Sequence, residues 1–349
     1  MNDLQRVADK YRRFAENECK GYSDHYYKLS HEIADDDWLL KFIAQMPETQ
    51  PNLFLASLQF LVGADEMPRF AEQARSVVEA RREEVEHLMC SRRTQTNEPG
   101  RCATLLPALP RGPLALLEVG ASAGLCLLLD EYAYDYGGVR LGPESSPVRL
   151  RCDVIGEPTL PEVVPQVVWR AGLDLRPLDV HDDDDARWLL SCVWPEHFER
   201  RERLSEAIRL AKSHELALHR GDLVEDLPAL LAEVPRDATL VVFHSAVLCY
   251  VNDEARRKFA DVLAEASKSR DIVWISNEAP AVLPEITALA TPTKGPRFLL
   301  GRTRFTKLLG RTQLDKGQRQ DEFLAIAQAH GAELEWLARG EGTNHESRH

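Results

Sequence analysis

The chain has no Cys-x-x-Cys pair, and its seven cysteines, Cys19, Cys90, Cys102, Cys126, Cys152, Cys192 and Cys249, are an odd number. A fully paired disulfide framework is therefore excluded, zinc finds none of its usual spacings, and buried free thiols in a reducing cytoplasm are the expectation. Long apolar runs are also missing. Glu118 and His244 interrupt the two most hydrophobic segments before either reaches the roughly 18 residues needed to span a bilayer, so no membrane partner is expected. The first residues, MNDLQRVADKYRRF, mix both charge signs and lack the apolar centre of an export signal. Basic charge is in deficit: 43 Lys and Arg face 56 Asp and Glu, a formal charge of -13. A phosphate-binding surface needs clustered cations, so nucleic acid is not an expected partner. The cluster Arg200, Arg201 and Arg203 reads as a solvated helix face.

What is present fits a soluble globular protein. The hydrophobic fraction is 44% and the charged fraction 28%, and 349 residues accommodate two domains. Apolar residues at Leu4, Val7, Ala8, Tyr11, Phe14 and Ala15, and again from Phe70 to Met89, recur at three- and four-residue spacing, which predicts helices. Pro51 and Gly63 sit where a helix between these stretches would start and stop. Residues 1–105 therefore read as an all-helical domain, expected to act as a lid.

From Pro113 the pattern changes to short apolar runs alternating with helical stretches, the grammar of a Rossmann-like, mostly parallel α/β sheet over 106–349. Strands are expected at 114–119, 167–173, 216–219, 239–244, 272–276, 297–307 and 334–337. Helices are expected at about 123–132, in the helix-rich stretch 183–212, and at about 253–267 and 321–329. The Gly- and Pro-rich stretch 134–165 reads as an inserted hairpin or loop, and the polar tail from Arg339 as frayed. An amphipathic helix buries its face equally well against its own domain or a second subunit, which leaves a homo-oligomer open.

The stretch LLEVGASAGL, residues 116–125, supports two readings. As Gly-x-Ser-x-Gly it is a nucleophile elbow presenting Ser122, and Asp222 and His330 complete a serine-hydrolase order of residues. As acid-x-Gly-x-x-x-Gly it is a strand ending in a nucleotide loop that leads into a helix. Position favours the second reading: 114–119 is the first strand, whereas a hydrolase places several strands and an oxyanion loop before its serine. Downstream, Asp174 follows the 167–173 strand as a ribose-binding acid should, and Asp222 in a Gly-Asp pair suits an adenine amino group.

With Glu118, Gly120, Gly124, Asp174, Asp222 and a strand ending at His244, residues of about 110–340 resemble a class I S-adenosylmethionine-dependent methyltransferase. The whole chain is similar to the domain-of-unknown-function family DUF2332, through RTQTNEPGRCATLLPAL, CVWPEH, RGDLVEDLPALL and VVFHSAVLCYV. The methyltransferase resemblance implies S-adenosylmethionine as cofactor, with Glu118, Gly120, Ser122 and Gly124 around its methionine part, Asp174 on the ribose and Asp222 near the adenine. Ser122 stands where such loops often carry a second glycine.

A small-molecule methyl acceptor is the expected partner, with a cofactor-binding scaffold or sensor that does no methylation as the rival. If the acceptor must lose a proton, His244 at the end of its strand is placed to act as general base, with Glu278 nearby. Alternatively, His244 only caps the strand. Asn277 and Glu278, at the end of the fifth strand, suit a substrate site or a turn before Pro280. Tyr250 suits a pocket wall or loop packing. Asn97, Glu98 and Arg101, in RTQTNEPGR, read as a loop reaching over the cofactor or as interdomain salt bridges. The run from His181 to Asp185 reads as a helix start rather than a metal site, because consecutive acids point in different directions. Trp194 and His197 either line the pocket or flank a helix break at Pro195.

Overall fold

A computed structural model describes residues 3–290, 297–306 and 318–338. The expected tail from Arg339 lies outside the described residues. The described residues fall into two compact units, one from Met1–Thr96 with Asp179–Ser205 and one from Asn97–Leu178 with Glu206–His349. The segment 179–205, assigned by its sequence to the second domain, thus clusters with the N-terminal helices.

The first unit is helical. Val7, Ala8, Tyr11 and Phe14 bury one face of the helix Asp3–Phe14, and the helices Asp24–Ala34, Asp37–Ala44 and Pro51–Val62 bury theirs in the same core. Helix starts are set by side-chain caps: Ser23 accepts from Tyr26 N, and Asp36 from Trp38 N and Leu39 N. Pro51 opens its helix and Gly63, at φ 84°, follows its end. Asp182 accepts from the backbone N–H groups of Asp184 and Asp185, so the acidic run is a helix cap. No group of residues able to hold a metal occurs among the described residues.

The second unit is α/β. Its strands are β1 (Leu114–Val119), β2 (Ala133–Asp135), β3 (Arg140–Leu141), β4 (Arg149–Arg151), β5 (Asp153–Ile155), β6 (Val167–Asp174), β7 (Ala217–Arg220), β8 (Thr239–Ser245), β9 (Ile272–Glu278), β10 (Arg297–Thr306), β11 (Gln318–Gln328) and β12 (Glu333–Trp336). Nine of them form one sheet in the order β5-β12-β11-β10-β9-β8-β1-β6-β7. Strands β7, β6, β1, β8 and β9 run parallel, and β10, β11 and β12 follow as an antiparallel meander. The inserted stretch builds the small sheet β3-β2-β4 and sends β5 to the edge beside β12.

From β1 the chain adds β6 and β7 on one side and then β8 and β9 on the other. The order therefore reverses between β1 and β8, and in open α/β sheets ligands collect at the carboxyl ends of strands flanking such a reversal. Every residue of β1 is buried, as a central strand covered on both faces requires. One core packs β1, β8 and β9 against the helices Leu227–Glu233 and Asp253–Ala266, through Leu117, Val242, Trp274, Leu230, Phe259 and Leu263.

Two expected helices are corrected. Residues 321–328 of the expected helix 321–329 lie in β11, where pairing with β10 and β12 overrides the helix-forming Glu, Leu, Ala and Gln. The stretch 123–132 holds a tight 3-10 helix, Leu125–Glu131, with non-helical angles at Leu128.

Candidate functional site

The loop after β1 is shaped by alternating left-handed residues. Gly120, Ser122 and Gly124 have φ of 71°, 53° and 72°. A Cβ on Gly120 would lie 2.4 Å from Val247 Cγ2, and one on Gly124 would lie 2.9 Å from Leu218 Cδ2, so both glycines are needed for packing as well as for φ. Ser122 takes the conformation of a glycine despite its Cβ, and its backbone N–H donates to Asp174 Oδ2 at 2.8 Å. Asp174 Oδ1 accepts from Arg176 N at 2.7 Å. The acid at the end of β6 and the loop after β1 are thus directly joined.

A left-handed residue with a Cβ costs about 1–2 kcal/mol, partly offset by glycine's greater unfolded-state entropy. Ser122→Gly is expected to leave stability unchanged or raise it by up to about 1 kcal/mol. Ser122→Val, branched at a position that branched residues avoid, is expected to cost about 2 kcal/mol or more. Urea denaturation midpoints decide this: similar losses for both variants would show that the hydroxyl, not the backbone, matters.

Glu118 is 4% exposed and its Oε2 has no hydrogen-bond partner. Burial, reinforced by Cys126 and Asp174 and only partly opposed by Arg101, pushes its carboxyl well above the usual range. Glu278, 2% exposed, goes the other way. Burial would raise it, but the hydrogen bond from His244 and the N–H groups of Val247 and Leu248 outweigh that and hold the carboxyl below its ordinary value. Glu278 Oε1 lies 2.7 Å from His244 Nδ1, 2.7 Å from Val247 N and 2.9 Å from Leu248 N, while Oε2 is buried without a partner.

His244 is fully buried, and Trp274 Nε1 donates to its Nε2 at 2.9 Å. An indole N–H can only donate, so Nε2 is the acceptor and the proton sits on Nδ1, facing Glu278. With both nitrogens engaged, the ring offers no lone pair to a substrate. His244 orients Glu278 instead of serving as the expected general base.

The remaining candidates divide. Asn277 is fully buried; its Nδ2 donates to Ser245 Oγ at 3.0 Å and its Oδ1 has no partner. Arg101, 7% exposed, donates from Nε to Ala329 O at 3.0 Å and from Nη1 to Ser245 O at 2.9 Å. Asn97 Oδ1 accepts from Leu125 N at 3.0 Å, capping the 3-10 helix, and Glu98 Oε1 accepts from Gly100 N at 3.0 Å. These two shape the loop beside the site. Asp222 Oδ1 accepts from Val224 N and Glu225 N, a turn of its own beyond β7. Tyr250 is 86% exposed on the short turn Leu248–Tyr250.

The structure does not gather the hydrolase trio. His330 follows β11, four strands from β1 in the sheet order. Asp222 lies on the other side of β1, beyond β7. Trp274 is the participant that sequence reasoning missed. The alternation of β9 held its signal, because Trp274, Ser276 and Glu278 share a face and Ser276 is in register with His244.

Fold and site together define an α/β protein with a mostly parallel sheet and buried polar side chains at the carboxyl ends of β1, β8 and β9. The chain belongs to the family DUF2332, described as an uncharacterized protein conserved in bacteria, whose family model matches residues 8–336. No curated protein matches the chain. Among the described residues no helix is long and apolar enough to cross a membrane.

Proposed function

We propose that the protein is an S-adenosylmethionine-dependent methyltransferase of a small molecule, its second unit a Rossmann-like domain. The observation that carries this reading is the backbone of the loop after β1. Three alternating left-handed residues give it the path of a glycine loop, and Ser122 fits that path while donating its N–H to Asp174. The departure from glycine at Ser122 therefore leaves the loop conformation intact. The parallel order β7-β6-β1-β8-β9 adds support, since it sets the loop beside the point where the strand order reverses.

The residues present fit the cofactor. Asp174 keeps lone pairs on both oxygens after its two backbone hydrogen bonds, enough to accept from ribose hydroxyls. Glu118, with its unpartnered buried Oε2, offers an acceptor toward the amino end of a methionine group. When bound, the cofactor supplies an electrophilic methyl on sulfur, so the protein's task is alignment and, for a protic acceptor, removal of a proton. Glu278 suits that last role: its carboxyl is held ionised, its Oε2 is unpartnered, and His244, fixed by Trp274, orients it.

Calorimetric titration with S-adenosylhomocysteine tests the reading. The wild type is expected to bind saturably, and Asp174→Ala to lose about 30-fold or more in affinity, the worth of a charged hydrogen-bond pair with the ribose. Folded wild type that binds neither S-adenosylhomocysteine nor S-adenosylmethionine would leave only the fold of this reading standing.

A further inference from the structure

Arg101 is a largely buried cation whose charge acts on the buried Glu118 carboxyl and whose guanidinium lies 5.8 Å from the centre of the Phe298 ring. Two of its five N–H bonds go to backbone carbonyls, Ala329 O and Ser245 O, which leaves three for a ligand. Beside it, Asn277 is fully buried and Oδ1 lacks a donor. The two side chains meet on one residue, since Arg101 Nη1 binds Ser245 O and Asn277 Nδ2 binds Ser245 Oγ. Spare donors of a cation and a spare acceptor thus flank a single point at the ends of β8 and β9.

Sheet geometry separates this point from the ribose acid. Asn277 ends β9 and Asp174 ends β6, three strands apart in the order β9-β8-β1-β6, which is about 14 Å at ~4.8 Å per strand.

Resting on the methyltransferase reading, we propose that Arg101 and Asn277 form a clamp for the α-amino-acid end of the methyl acceptor. Arg101 takes the carboxylate through its spare N–H groups, which is the bidentate geometry a guanidinium favours. Asn277 Oδ1 accepts from the adjacent ammonium. The acceptor class is therefore a free amino acid or a small molecule built on one.

The test titrates wild type, Arg101→Gln, Arg101→Lys and Asn277→Leu, each checked for folding by circular dichroism, with the twenty L-amino acids. Titrations are run with and without saturating S-adenosylhomocysteine. At least one amino acid is expected to bind wild type and to lose about 10-fold or more in Arg101→Gln and Asn277→Leu. Arg101→Lys, which keeps the charge but not the planar fork, is expected to lie between and serves if Arg101→Gln does not fold. S-adenosylhomocysteine and 5′-methylthioadenosine, which lacks the amino-acid arm, are each expected to bind all four proteins alike.

Amino acids that fail to bind wild type, or that bind the variants equally well, would overturn the proposal. So would a loss confined to S-adenosylhomocysteine with 5′-methylthioadenosine unaffected, because the clamp would then hold the cofactor's own amino-acid end. Failure of both adenosyl compounds on wild type reports separately on the cofactor reading.

Discussion

Glu278→Ala is expected to destabilise the protein by about 3–5 kcal/mol at neutral pH. The substitution leaves His244 Nδ1, Val247 N and Leu248 N without the oxygen that accepts from all three. Buried donors left unpaired cost about 1–3 kcal/mol each, and breaking a buried charged contact costs about 3–5 kcal/mol. Glu278→Gln keeps an acceptor oxygen and is expected to lose less, about 1–2 kcal/mol. The pH dependence follows from the direction of the shift. Because the folded carboxyl titrates below its ordinary value of 4.5, it stabilises above that value, and this contribution disappears as pH falls through the lower folded value. Urea denaturation at neutral and acid pH measures both effects. A loss under 1 kcal/mol in Glu278→Ala would mean that the turn 246–248 finds other partners.

Glu118→Gln is expected to act in the opposite sense and stabilise the free protein. Burial makes the folded chain hold the Glu118 proton to higher pH, whereas the unfolded chain ionises it near the ordinary value of 4.5. Its contribution is fully present below that value and falls steadily as pH rises towards the folded value. Each pH unit between the two costs ~1.4 kcal/mol at neutrality. An amide of the same shape never ionises, so thermal scans should show a Tm gain of a few degrees at neutral pH that vanishes at about pH 4. A variant with the same pH slope as wild type would place the ionisation elsewhere. The surroundings thus push these two buried carboxyls in opposite directions.

Much of this was legible in the order of residues. The run LLEVGASAGL marked β1 and its loop, because a continuous apolar strand followed by spaced glycines has few other structural readings. The parallel strands β6, β8 and β9 were similarly plain. Strand β11 was not: its residues favour a helix, and the bulge that leaves Leu324 without an opposite partner on β10 breaks the alternation that would have shown a strand. The role of His244 was hidden for a different reason. Its position at a strand end was readable, but the proton on its ring is fixed by Trp274 and Glu278, thirty or more residues away in sequence and adjacent only across the sheet. Asn97 read as a ligand contact because a helix cap and a binding residue use the same side chain, and only the partner, Leu125 N, tells them apart.

The central claim is that the loop after β1 and Asp174 together receive an adenosyl cofactor. A crystal structure of the protein grown with S-adenosylhomocysteine tests it most directly. The expected result is the ligand at the carboxyl ends of β1 and β6, its ribose hydroxyls within hydrogen-bond distance of Asp174 and its amino-acid arm against residues 118–124. Clear density for the ligand elsewhere, or an empty loop in crystals grown at saturating ligand, would contradict it.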